Sequence, residues 1–93
     1  EEIIILFPNT RPAEAERLLN RLRDMLSTST LIAELPEIHV TFSAGITSLQ
    51  PGDSFALPVL LNQADQALYA AKRAGRNRNQ IFGAPENFPS PQY

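Results

Sequence analysis

Ala64-Asp65-Gln66-Ala67-Leu68-Tyr69-Ala70-Ala71-Lys72-Arg73-Ala74-Gly75-Arg76-Asn77 decides how this chain folds. With Leu57, Leu60 and Leu61 before it, Ala64, Ala67, Leu68 and Ala71 recur at three- and four-residue steps. That spacing predicts an amphipathic helix starting at Pro58, where a proline fits the first turn. Gly75 is placed to end it in a left-handed cap. Lys72, the only lysine, then lies in the last turn with Arg73, and Arg76 and Arg78 follow; these are four of the eight basic residues in a chain of net charge −2. Cations there complement the helix dipole at about 0.3–1 kcal/mol each. They could equally hold an anion: Lys72 and Arg76 are four apart, and a turn at Gly75 would let both reach one phosphate, a point charge beside a forked guanidinium. Local sequence leaves both readings open.

Outward from this helix, the alternation of His39 to Thr47 predicts a half-buried strand, with Val40, Phe42, Ala44 and Ile46 on one face. Gly45 within it marks a bulge or a close backbone approach. His39, the sole histidine, has no second histidine or cysteine near it and reads as structural or solvated. Gln50 to Ser54 is a loop by its turn residues. Upstream, Ala13 to about Ser27 carries Ala15, Leu18, Leu19, Leu22, Met25 and Leu26 as one helical stripe. Glu14, Glu16, Arg17, Arg21, Arg23 and Asp24 form the other side, a solvated face laced with ion pairs. Ile3-Ile4-Ile5-Leu6-Phe7, stopped by Pro8-Asn9, reads as a strand buried on both faces. Arg78 to Phe82 offers one more short strand, and Gly83 to Tyr93, with three prolines, a tail or linker.

The order is β-α-β-α-β, an α/β sheet with helices packed on it. Ninety-three residues make one small domain, here 1–82 followed by the tail 83–93. The Ile3–Phe7 strand has too few neighbours in this list for its hydrophobicity, so strands are expected upstream of Glu1. No cysteine is present, which excludes disulfides and thiolate chemistry and fits a reducing, cytoplasmic setting. No apolar run is long enough to span a bilayer, and Glu1-Glu2-Ile3 lacks the leader of a signal peptide. The negative charge speaks against general binding to nucleic acid or to anionic membranes. Glu1-Glu2 is the other chemical candidate. Adjacent carboxylates point to opposite faces of an ideal strand, but in a turn they can share Mg²⁺ with a substrate phosphate. A solvated terminus is the competing reading.

Three blocks together resemble the GGDEF/GGEEF family of diguanylate cyclases. Glu1-Glu2-Ile3-Ile4-Ile5-Leu6-Phe7-Pro8-Asn9-Thr10 is similar to the signature's acidic pair and the strand after it, with Ile3 where phenylalanine is usual. Val40-Thr41-Phe42-Ser43-Ala44-Gly45-Ile46 resembles the V-T-x-S-x-G-[IV] strand. Ala64 to Asn77 resembles the A-D-x-A-L-Y-x-A-K-x-x-G-R-N helix, the most specific of the three. The resemblance implies a partial nucleotidyl-cyclase-like, ferredoxin-like domain, its N-terminal strands and helices missing, that begins just after the signature glycines. It implies that Glu2, with Glu1, holds Mg²⁺ or Mn²⁺ and that Glu2 lies closest to the chemistry. Lys72 and Arg76 would contact GTP phosphates, and Asp65, Gly75 and Asn77 would have structural or orienting roles.

The implied reaction joins two GTP molecules held on two facing domains. Each 3′-hydroxyl attacks the other nucleotide's α-phosphate, giving cyclic di-GMP and pyrophosphate. Metal ions held by the acidic residues would activate the hydroxyl, while Lys72 and Arg76 offset charge on the leaving group. The implied partners are GTP, a second GGDEF domain and an upstream sensory or regulatory domain, with any membrane contact made through other domains. The family's second metal-binding aspartate, its guanine contacts and its R-x-x-D product-inhibition site all precede the signature, so the 93-residue piece alone is expected to be inactive. A degenerate GGDEF domain that binds GTP or cyclic di-GMP without turnover is the alternative. A small RNA-binding module is a third class, disfavoured because the strands lack exposed stacking aromatics.

Overall fold

The structure is a computed structural model that describes residues 2–28, 40–54 and 56–85. Its order among these is helix α1 (Pro12–Thr28), strand β1 (Ala44–Ile46), helix α2 (Leu57–Arg73) and strand β2 (Asn79–Ile81). Proline stands in the first turn of both helices, where its missing N–H costs nothing. At the start of α1 the Arg11 carbonyl accepts from the Glu14 and Ala15 amides, both at 3.0 Å. The Glu14 carboxylate in turn accepts from the Arg11 amide at 3.3 Å, the reciprocal half of a capping box.

β1 and β2 pair in parallel with Ala44 opposite Asn79, Gly45 opposite Gln80 and Ile46 opposite Ile81. Parallel neighbours need a crossover, and α2 supplies it, making β1-α2-β2 a βαβ unit. The Ala44 amide donates to the Arg78 carbonyl at 2.9 Å and the Phe82 amide to the Ile46 carbonyl at 2.7 Å, extending the ladder at both ends. The α/β class expected from the sequence is therefore present.

The core is built of small side chains. Ala67, Ala70, Ala71 and Ala74 are buried along α2, joined by Ile46 from β1 and by Ala15 and Leu19 from α1. This alanine face lets α2 approach β1 until Gly45 faces its backbone directly. A Cβ on Gly45 would overlap the Ala64 carbonyl oxygen and the Leu68 amide nitrogen and stand 2.9 Å from Leu68 Cα. Of the two readings offered for Gly45, close backbone approach is the one realised. Thr47 Oγ1 donates to Gln63 Oε1 at 2.8 Å and fastens the end of β1 to the same helix.

Several features differ from the sequence reading. Of the strand expected over His39 to Thr47, only Ala44–Ile46 pairs among the described residues, and Val40 is exposed. Leu57 and Leu61 of the α2 stripe are exposed because the alanines beyond them make the close contact with β1. Ile3–Phe7 joins no ladder among the described residues; Ile3 and Leu6 are each 85% exposed. Among the described residues the sheet has two strands, which pair with each other, and this apolar segment joins neither. Leu18, Leu22 and Met25, placed on the buried stripe of α1, are exposed, and only Ala15 and Leu19 of that stripe are buried. Arg23, assigned to the solvated side, is half-buried and bonded to three separate segments (below). His39 and the residues after Pro85 lie outside the described residues.

Candidate functional site

The end of α2 is organised by its backbone. Ala74 is the C-cap at φ −76°. The Gly75 amide donates to the Lys72 carbonyl at 3.3 Å and the Arg76 amide to the Ala71 carbonyl at 3.0 Å. These are the paired 5→2 and 6→1 bonds of a Schellman motif, and the glycine it requires is Gly75 at φ +126°. Two non-glycine residues then follow with positive φ, Arg76 at 64° and Asn77 at 48°. Asparagine adopts this region readily and arginine does not, so the Arg76 conformation costs about 1 kcal/mol and must be held by its surroundings.

The holding contacts are specific. The Asn77 amide donates to Ser43 Oγ at 3.0 Å, just before β1. Asn77 Oδ1 accepts from Arg23 Nε at 3.0 Å. The same guanidinium donates through Nη1 to Asn20 Oδ1 at 2.8 Å, and through Nη2 to Asn79 Oδ1 at 2.8 Å and to the Phe42 carbonyl at 3.1 Å. Asn79 Nδ2 donates back to Asn20 Oδ1 at 2.9 Å, closing the network. The Arg23 guanidinium also sits 4.2 Å from the centre of the Phe42 ring. Burial pushes the Arg23 guanidinium below its ordinary range, with Asp24 and Glu16 pulling the other way; it remains a cation.

Consequently the amides of Gly75, Arg76 and Asn77 are all spent within the protein, and none is left to greet an anion. An anion at this end of α2 meets helix carbonyls, whose dipole repels it. Only side chains can attract it here. Lys72 and Arg76 are exposed, and neither side chain makes a hydrogen bond or ion pair among the described residues. They are not neighbours on one helix, because α2 stops at Arg73, ahead of the turn expected at Gly75. Any convergence between them runs through the glycine turn. Arg73 is used otherwise, its guanidinium 4.8 Å from the Tyr69 ring centre. Arg78 Nε donates to the Arg76 carbonyl at 3.1 Å.

The remaining sequence candidates are Asp65, Glu1 and Glu2. Asp65 lines an open cleft of about 470 Å³ with Tyr69, Arg73, Gln80 and Phe82, a lining that includes neither Lys72 nor Arg76. Glu1 lies outside the described residues, and Glu2 is exposed. Among the described residues no group of three histidine, cysteine or acidic side chains could hold a metal ion. The donors seen here do not make a divalent-metal site, and Glu2 would need further carboxylates. Also among the described residues, no helix is long and apolar enough to cross a membrane. Arg23 is the contributor that the sequence did not mark. Apart from Asn20 on its own helix, its partners are 19 to 56 residues away in the chain, so no local pattern announces it.

The sequence model of the family described as "Diguanylate cyclase, GGDEF domain" matches residues 1–78. Among curated proteins, the chain is 37% identical over 81 residues to diguanylate cyclase DgcP of Pseudomonas aeruginosa, covering 87% of this chain and 12% of that protein. It is 35% identical over 82 residues to a diguanylate cyclase of Vibrio cholerae, covering 88% and 25%. It is 35% identical over 79 residues to response regulator PleD of Caulobacter vibrioides, covering 83% and 17%. The chain thus spans a quarter or less of the length of these relatives. No solved structure matches it. The match over most of its length makes the chain a member of the GGDEF family of diguanylate cyclase domains.

Proposed function

We propose that this chain supplies the phosphate-contacting side of a GTP site in a diguanylate cyclase, whose reaction condenses two GTP into cyclic di-GMP. The observation that carries the proposal is the turn after α2. Its backbone amides are committed inside the protein, while the Lys72 and Arg76 side chains are left uncommitted beside a glycine at φ +126°. Lys72 offers three donors on a flexible stem and Arg76 a planar fork, a combination suited to a polyphosphate. In the reaction, charge builds on the pyrophosphate as it leaves. Two cations there are worth more in the transition state than in the bound substrate.

Glu2, by its position in the family motif, is assigned to the metal side of the site. The divalent ion would supply charge neutralisation and hydroxyl activation there, with donors additional to those described. Asp65 is assigned an orienting role, supported by its position on α2 rather than by a contact to the turn. Catalysis by this family's chemistry needs two GTP-loaded domains, so a second GGDEF domain is the proposed partner. Alone, the 93-residue chain is expected to make no cyclic di-GMP from GTP and Mg²⁺, since among the described residues Glu2 is not accompanied by a complete donor set.

The test is GTP turnover by a protein carrying the entire family domain, compared with its Lys72→Ala, Arg76→Ala and Glu2→Ala variants. Each is expected to lose about 10²-fold or more in kcat/KM, the scale of removing one charge-stabilising group. Lys72 and Arg76 variants that turn over at the parent rate would overturn the assignment. GTP binding without turnover in the parent would mark a non-catalytic module instead.

A further inference from the structure

We infer that Arg23 is a positioning residue for the Gly75–Asn77 turn, holding Arg76 in its phosphate-facing conformation without itself touching substrate; this rests on the phosphate reading above. Arg76 has a positive φ that an arginine does not choose unaided. It is bracketed by Gly75, which fixes the helix end, and by Asn77, which is held from both directions. Ser43 Oγ accepts from the Asn77 amide, and Arg23 Nε donates to the Asn77 side-chain oxygen. Arg23 is in turn anchored away from the turn by Asn20 on its own helix, by Asn79 at the start of β2 and by the carbonyl and ring of Phe42.

One guanidinium therefore ties α1, the approach to β1, the turn and β2 to a common point. The turn cannot rotate without breaking a charge-assisted bond at Asn77, and Arg23 cannot follow it without releasing Asn79 and Phe42. Arginine is required for this geometry. It presents donors in several directions from one rigid plane, whereas a lysine ammonium is a single point that can satisfy only part of the ring of acceptors.

The test uses the full 93-residue chain, tripolyphosphate as the probe, and calorimetric binding at low salt. Arg23→Lys keeps the charge and removes the fork; Asn77→Gly keeps a backbone that accepts positive φ and removes the acceptor. Both are expected to weaken tripolyphosphate binding by about tenfold, the fold-change carried by one charge-assisted hydrogen bond. In both, the NMR three-bond couplings that report φ at residue 76 are expected to move toward conformationally averaged values. Urea midpoints identify variants that remain folded.

Arg23→Lys binding at the parent level, with unchanged couplings at Arg76, would overturn the inference by showing that charge alone suffices. If Lys72→Ala/Arg76→Ala abolishes binding while the Arg23 and Asn77 variants bind normally, the positioning role fails and the phosphate reading stands. If the double variant binds as tightly as the parent, the phosphate reading fails. The couplings at Arg76 then decide whether Arg23 fixes the turn at all, and unchanged couplings would dispose of the inference.

Discussion

Replacing Gly45 by alanine is expected to damage this fold more than any other single methyl group. The added Cβ would overlap the Ala64 carbonyl oxygen and the Leu68 amide nitrogen, and would lie 2.9 Å from Leu68 Cα. All three are backbone atoms of α2, so no side chain can swing aside. Ordinary contact begins at 3.4 Å, so relief at Leu68 Cα alone moves the helix about 0.5 Å away, and the two closer atoms demand more. A gap of 0.5–1 Å forfeits roughly a quarter to a half of the dispersion attraction across the face it opens. That face includes Ala67, Ala70, Ala71 and Ile46, most of the buried apolar residues. The expected loss is about 3 kcal/mol, the upper end for overpacking. Followed by circular dichroism in urea, a loss of that size lowers the midpoint by about 2 M or removes the cooperative transition altogether. A Gly45→Ala midpoint within about 0.3 M of the parent would refute the close approach of α2 to β1.

Other consequences are smaller and equally measurable. Gly75→Ala should cost about 1–2 kcal/mol in thermal melts because φ +126° is a conformation alanine avoids; the nearest atom to its new Cβ, Arg78 Nη2 at 3.0 Å, is a flexible side-chain end that can yield. Gln80 is buried, and its Nε2 donates to the carbonyls of Ile81 and Ala84, both at 3.1 Å, and of Pro85 at 3.4 Å. Gln80→Leu should therefore cost about 1–2 kcal/mol and expose residues 83–85 to faster proteolysis. Leu6→Ser should leave the stability read from the urea transition within about 0.5 kcal/mol of the parent, since Leu6 is 85% exposed.

What could be read from the sequence was what local chemistry controls. The three- and four-residue steps of Leu57 to Ala71 gave α2 to within a residue of its observed start, and Gly75 marked its stop, because both depend on neighbours in the chain. Gly45 was readable as a point of close approach because a residue without a side chain interrupts an alternating strand. Ile3–Phe7 was misleading for a physical reason: hydrophobicity states a demand for burial, but the partners that satisfy it are set by the rest of the sheet. Arg23 was hidden by its company. Among Arg21, Asp24 and other charges, helical periodicity can say only that a residue is off the apolar stripe. It cannot say that residues 42, 77 and 79 will converge on that stripe's edge. For Lys72 and Arg76, spacing identified the pair and Gly75 marked the turn between them, because a glycine helix stop is a local signal.

Phosphate contact by Lys72 and Arg76 is read most directly in an NMR titration of the isotope-labelled chain with GTP, following backbone amides and the two side chains. Phosphate contact at the turn predicts shifts concentrated at Lys72 and Gly75–Asn77, reproduced by pyrophosphate and abolished by Lys72→Ala/Arg76→Ala. Shifts elsewhere that survive the double substitution, or none at the turn, would contradict it.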